Sequence, residues 1–232
     1  ILTHYAEEGM DEANLARILS VFDKGPTGNP YLDLCIIKGR FPSRRAQFCT
    51  QYLKTMPLTE YQLSLIEGDV EAVWSWQGIR SEEGGRRRWA LEFQEIGGGI
   101  YVYRPILRWK AEDCFNAASC YGLDPNPLYR MGMNRVGCMP CINAAKGEIL
   151  EISKRFPKHI DHIEEWESVV RAASKKGGPS FFPAPEDGRA DRVGRNIRQV
   201  VQWSRTSRGG KQISLLADAE AVGCASSYGL CE

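Results

Sequence analysis

No apolar run in the chain approaches the roughly 18 residues a membrane-spanning helix needs, and no charged-then-apolar leader opens it. An excess of one charge sign is missing too. Thirty basic side chains stand against 29 acidic ones, a formal +1, which excludes a uniformly basic nucleic-acid binder but leaves room for a local patch. Eight cysteines in 232 residues are too few for a small disulfide scaffold. Without a leader, a reducing cytoplasm is the expected compartment, and there closely spaced cysteines bind metal or do chemistry more often than they pair. The first residue is Ile1 rather than Met, so an N-terminally truncated chain is expected. What is present is ordinary globular composition, 43% hydrophobic and 25% charged. That length buries a substantial core in one large domain or two small ones.

Local patterns predict mostly helix. Asp11 is placed to cap a helix over residues 11–22, where Leu15, Ile18, Leu19 and Phe22 recur at helical spacing before Gly25-Pro26. Gly28, Pro30, Gly39 and Pro42 suggest a loop. Thr59 with Gln62 has capping-box spacing for a short helix ending near Gly68. Val70, Ala72, Trp74 and Trp76 alternate as in a strand over 70–76, and a second strand is expected near 100–103. Further helices are expected at 111–121, 143–155, 159–174 and 191–204. A few strands among many helices indicate α/β.

Three groups of residues are candidates for chemistry. Cys138 and Cys141 form a Cys-x-x-Cys pair, which by itself suits a zinc half-site, an iron–sulfur half-site or a redox dithiol. Cys224 and Cys231 form a second pair near the end, and a metal shared by some set of these four would hold the tail; buried or redox thiols are the alternative. Cys35, Cys114 and Cys120 read as structural. Arg44, Arg45 and Lys54 surround Cys49, while Gly78 and Arg80, followed by Arg86, Arg87 and Arg88, come directly after the tryptophan-rich strand. Ligands of open α/β sheets bind outside the carboxyl ends of strands, and guanidinium groups suit phosphate and sulfate oxygens. Finally, residues 171–211 hold ten basic side chains against three acidic ones, either a solvated face or a phosphate-contacting surface for nucleic acid.

Several of these stretches, taken in order, resemble the phosphoadenylyl-sulfate (PAPS) reductase family of the adenine-nucleotide α-hydrolase group. They are Gly39-Arg40-Phe41-Pro42-Ser43 with Phe48-Cys49-Thr50 and Leu53-Lys54, then Gly78-Ile79-Arg80-Ser81-Glu82-Glu83 with Arg87, then Arg104-Pro105-Ile106 with Trp109. Asn126-Pro127-Leu128-Tyr129 and Arg135-Val136-Gly137-Cys138-Met139-Pro140-Cys141 follow. The ending Tyr228-Gly229-Leu230-Cys231-Glu232 is similar to that of members common in phages and mobile elements.

The resemblance implies a parallel-sheet α/β fold, N-terminally incomplete, with a nucleotide- and substrate-binding domain over 1–136 and a helical, metal-bearing region over 137–232. It implies an enzyme, a nucleotide-dependent sulfonucleotide reductase or sulfur transferase. Arg44, Lys54, Gly78, Arg80 and Arg87 would bind the phosphate or sulfate groups of ATP or PAPS, and Glu83 would orient the arginines. A 4Fe–4S cluster, with zinc as the alternative, would be held by Cys138, Cys141, Cys224 and Cys231, with Cys49 in reserve. Cys231 and Glu83 are the catalytic candidates, and a thiol or iron–sulfur protein is the implied electron donor. Three departures stand out. The family's Ser-Gly-Gly-Lys-Asp-Ser loop does not occur, Gly84 replaces a serine after Glu83, and Gly229-Leu230-Cys231-Glu232 stands in place of the assimilatory reductases' Glu-Cys-Gly-Leu-His ending. The reading from a different class is a metal-stabilised nucleic-acid-binding module using the basic segment 171–211.

Overall fold

The computed structural model describes residues 10–43, 45–68, 70–134, 136–176, 178–182 and 196–206, with every side chain among them except that of Arg86. Arg44, Cys224, Cys231 and residues 183–195 and 207–211 of the basic segment therefore lie outside the described residues. Two compact units emerge. One comprises the described residues up to Leu53 and from Leu128 onward, and the other is Lys54–Pro127.

The first unit is helical. Helix α1 (Glu12–Val21) is capped as its sequence predicts, the Asp11 side chain accepting from the Asn14 amide at 2.8 Å. Helix α2 (Pro30–Lys38) occupies the stretch expected to be a loop. The proline and glycines that suggested a loop are its punctuation. Asn29 accepts from the Tyr31 and Leu32 amides, Pro30 sits in the first turn, and Gly39 ends the helix in the left-handed region at φ +59°. Leu32, Leu34, Cys35, Ile36 and Ile37 are all buried, so the helix is apolar nearly all round and lacks the contrast that reveals an amphipathic one.

Three more long helices are described in this unit: α5 (Lys146–Arg155), α6 (Pro157–Ala173) and α7 (Ile197–Ser204). Helix α6 is central and packs against α1, α2, α5 and α7. Ile18, Leu34, Ile36, Ile163, Val170 and Ile197 form the heart of the core. Gly39 also permits a close approach, since a Cβ there would stand 3.4 Å from the Ala173 carbonyl oxygen at the end of α6.

The second unit holds helices α3 (Met56–Glu67) and α4 (Ala111–Cys120) and a three-stranded sheet. Its strands are β1 (Val73–Trp76), β2 (Phe93–Gly97) and β3 (Ile100–Tyr103), in the order β1-β3-β2. The expected parallel pairing holds for β1 and β3, where Val73 faces Ile100 and Trp76 faces Tyr103. Strand β2 runs antiparallel to β3, so the described sheet is mixed. All five β2 residues are exposed, and without a buried face the stretch carried no alternation to read. The β2–β3 turn uses Gly97, Gly98 and Gly99 at positive φ, and a Cβ at Gly99 would meet the Glu71 carbonyl and Ile66 at 3.1 Å. One face of β3 buries Ile100 and Val102. On the other, Tyr101 stacks on Trp74 with centroids 5.1 Å apart, and Tyr103 stacks on Phe93 at 4.5 Å.

Candidate anion loop and thiol cluster

The segment leaving β1 is held by backbone rather than by apolar packing. Gln77 N–H donates to the Tyr103 carbonyl at 2.9 Å, and Ser81 N–H donates to Leu107 at 2.8 Å. Glu82 accepts from the Ala111 amide at 2.6 Å, at the start of α4. Arg80 thus leaves the carboxyl end of a parallel strand on a pinned backbone, its side chain only 14% exposed. It pairs with Glu82 and lies 3.6 Å from a Glu83 oxygen, while the other Glu83 oxygen pairs with Arg87. Glu83 is therefore shared between Arg80 and Arg87.

Gly84 stands at φ +75°, ψ −169°, a conformation essentially confined to glycine. It separates the short turns Ser81–Glu83 and Gly85–Trp89 that carry the paired residues. Its backbone explains why serine does not stand here. Gly78 is open, since a Cβ would meet only the end of Ile106 at 3.9 Å. Lys54 lies exposed in the helical turn Gln51–Thr55.

Arg104 is the residue that sequence reasoning missed. It is 8% exposed and donates to Gln77 at 2.9 Å, the Leu91 carbonyl at 2.6 Å and Gln94 at 3.1 Å. One guanidinium thus joins the segment leaving β1 to β2 and the residues before it. The signal was an arginine directly after an apolar strand, which entered the reading only within the family-like run Arg104-Pro105-Ile106 and was given no role of its own.

The first unit carries the thiols. Cys138 is exposed and Cys141 half-buried in the loop before α5. They line a small cleft with Leu128, Met133, Met139 and Glu148. Glu148 is itself buried and accepts from the Ala145 amide at 2.7 Å, capping α5. Cys35 is wholly buried on α2, and Cys49 is half-buried in the helical turn Phe48–Thr50. Burial pushes the Cys35 thiol far above the ordinary range. The Tyr31 hydroxyl is raised likewise, first by burial and then by the neighbouring thiols of Cys35, Cys49 and Cys141. Among the described residues no three His, Cys, Asp or Glu side chains are placed to hold a single metal ion.

Of the basic segment, two described members are engaged in ion pairs. Arg198 pairs with Asp161 at 2.6 Å and Glu164 at 2.8 Å, and Lys175 pairs with Asp11 at 3.0 Å. No described helix is long and apolar enough to cross a membrane.

Residues 34–144 match the phosphoadenosine phosphosulfate reductase domain, a stretch that includes α2, the sheet, the arginine loop and the Cys138–Cys141 pair. The chain is 42% identical over 222 residues to an uncharacterized 37.8 kDa protein of Escherichia phage 186, covering 89% of this chain and 66% of the phage protein. It is 30% identical over 117 residues to an adenosine 5'-phosphosulfate reductase of Neisseria meningitidis serogroup A, covering 47% of this chain and 44% of that enzyme. An uncharacterized protein of Methanocaldococcus jannaschii is 29% identical over 140 residues, with 27% of its length covered. The chain thus spans under two thirds of the length of each of these relatives. No solved structure matches it. With its motifs in family order and its arginine loop at the end of a parallel strand, the chain belongs to the phosphoadenosine phosphosulfate reductase family.

Proposed function

We propose that the chain binds an adenine sulfonucleotide and takes part in its reduction, with an iron–sulfur centre in its helical unit. The observation that carries this reading is the Glu83 carboxylate shared by Arg80 and Arg87 on a loop pinned to Leu107 and Ala111. Each guanidinium has five N–H donors, and a carboxylate on one edge leaves the others for phosphate or sulfate oxygens. Glu83 orients both forks before the ligand arrives, which lowers the ordering cost of binding. Arg104 acts one layer back by fixing Gln77, and Gly78 leaves the backbone open to close approach.

The chemistry of the donor set in the helical unit suits an iron–sulfur group: several thiols, with a hydroxyl beside them. Bound there, such a group supplies one-electron redox capacity. The relatives named adenosine 5'-phosphosulfate reductase support a sulfonucleotide as substrate, and a thiol or iron–sulfur protein as electron donor completes the proposal.

Titration calorimetry with adenosine 5'-phosphosulfate tests the nucleotide half. Arg80→Ala and Arg87→Ala should each weaken binding by about 1.5–3 kcal/mol, the range of charge-assisted hydrogen bonds, or roughly 10- to 150-fold. Parental affinity in both variants would mean that these arginines serve only their carboxylates.

A further inference from the structure

Residues 38–46 and 171–176 contain no acidic side chain, and their described cations are Lys38, Arg40, Arg45, Arg171, Lys175 and Lys176. The fold brings these two distant stretches together. Gly39 ends α2 against the end of α6, where a Cβ on it would stand 3.4 Å from both the Ala173 carbonyl oxygen and the Ser174 Cα. Phe41 of the first stretch packs on Phe181, just past the second, with centroids 5.2 Å apart. Three of the cations are presented by local structure. Arg40 lies over the buried Phe48 ring at 5.6 Å, which holds its guanidinium in place. Arg45 stands in the turn Ser43–Ala46, closed by two backbone hydrogen bonds of 3.1 Å. The Lys176 amide donates to the Ser174 hydroxyl at 3.4 Å, which keeps Lys176 close to the Gly39 contact.

Ordinary structural roles account for only half of this charge. Lys38 and Arg171 stand in the last turns of α2 and α6, where cations offset the helix dipole. Lys175 is paired with Asp11 at 3.0 Å. Arg40, Arg45 and Lys176 are exposed beyond the helix ends and have no ion pair among the described residues. The first half of α6 is different, since Asp161 and Glu164 there hold Arg198. The surroundings select the kind of anion. A protein partner needs an apolar centre to its interface, and a membrane surface needs an apolar face to insert. The exposed large hydrophobic residues described in this unit are Leu19 and Met131, and neither lies in these loops. A phosphate backbone requires no such patch, because neutralising its charges releases condensed counterions and so drives binding.

We propose that the surface where the carboxyl ends of α2 and α6 meet binds the phosphate backbone of a nucleic acid without reading its sequence, with Arg40, Arg45 and Lys176 as its contacts. This goes beyond the sulfonucleotide reading and does not depend on it. It also moves the nucleic-acid surface expected over 171–211 to the start of that segment and joins it to the loop after α2.

The test is fluorescence anisotropy of a fluorescein-labelled DNA duplex of mixed sequence, titrated with the full chain at several salt concentrations. Three or four phosphate contacts predict binding roughly 40- to 150-fold weaker at about 200 mM salt than at about 50 mM. Lys176→Gln and Arg45→Gln should each weaken binding about five- to fifteenfold and lower the slope of log K against log salt by about 0.9. Lys158→Gln, at the far end of α6 and about 22 Å away along its axis, should bind like the parent. Scrambling the duplex sequence should change nothing. A parent that does not bind the duplex at about 50 mM salt overturns the proposal, as does a folded Arg45→Gln/Lys176→Gln chain with the parental salt slope. Poly-glutamate bound as tightly as the duplex would assign the surface to an acidic peptide, and sedimentation with phosphatidylserine vesicles in place of DNA binding would assign it to a membrane. Either result overturns the proposal. Circular dichroism checks the fold of each variant. If the Arg45 turn does not tolerate substitution, Lys176→Gln decides alone, and parental affinity and slope there refute the assignment.

Discussion

Glu167 offers the sharpest test of how the helical unit is held. It is 1% exposed on α6, and its carboxylate accepts from Phe181 N–H at 2.9 Å, Ile197 N–H at 2.8 Å and the Ser180 hydroxyl at 3.3 Å. It therefore holds both the 180–182 segment and the first turn of α7. Phe181 and Ile197 are 2% and 0% exposed, so water cannot replace the lost acceptor. Glu167→Ala should then leave two buried amides unsatisfied, at about 1–3 kcal/mol each, for a total of roughly 2–6 kcal/mol. Glu167→Gln keeps one carbonyl oxygen but turns an amide donor toward a donor, and should cost about 1–3 kcal/mol. Burial raises the Glu167 carboxyl above its usual 4.5, outweighing the hydrogen bonds that favour the charged form. The folded chain thus holds this proton more tightly than the unfolded one. The resulting stability is complete below 4.5 and is lost as pH rises through the raised value. In urea melts, the parent should gain on Glu167→Gln as pH falls from 7 toward 5. A gap that narrows on acidification would refute the reasoning, because it would mean that the hydrogen bonds outweigh burial.

Arg104→Ala should cost about 3–5 kcal/mol in denaturant melts, because Gln77, Gln94 and the Leu91 carbonyl lose a charged donor together; a loss under about 1 kcal/mol would show the contacts to be incidental. Gly84→Ser, although it restores the family residue, should destabilise the chain by about 1–3 kcal/mol because φ is +75°. Calorimetry should also find its sulfonucleotide binding weakened, and unaltered stability would show that the turn relaxes at no cost.

Much of the arrangement was legible where residue chemistry is local. Asp11 announced α1, the alternation to Trp76 announced β1, and Gly78-Ile79-Arg80 marked the segment that leaves the carboxyl end of that strand. Helix α2 was hidden because burial on all sides erases periodicity and its Pro30 and Gly39 serve equally well in loops. Strand β2 was hidden for the opposite reason: exposed throughout, it shows no apolar face. Arg104 and Glu167 escaped notice because their partners come from 10 to 30 residues away, and no local pattern reports such pairs.

The pairing within the anion loop bears on selectivity. Arg80 and Arg87 are matched by Glu82 and Glu83, so these four side chains carry no net charge and exert little long-range pull. An anion must win its place by exchange. Glu83 is 27% and Arg87 49% exposed, and a pair so placed is worth only about 0–1 kcal/mol. A two-pronged, charge-assisted contact to a phosphate or sulfate group returns about 1.5–3 kcal/mol per bond, so exchange is favourable for ligands that bridge both forks. A small monoanion reaching one guanidinium gains too little over the carboxylate it displaces. On the proposed reading, the carboxylates hold the forks in place and set the threshold for entry, favouring a nucleotide whose phosphate and sulfate groups engage both arginines at once.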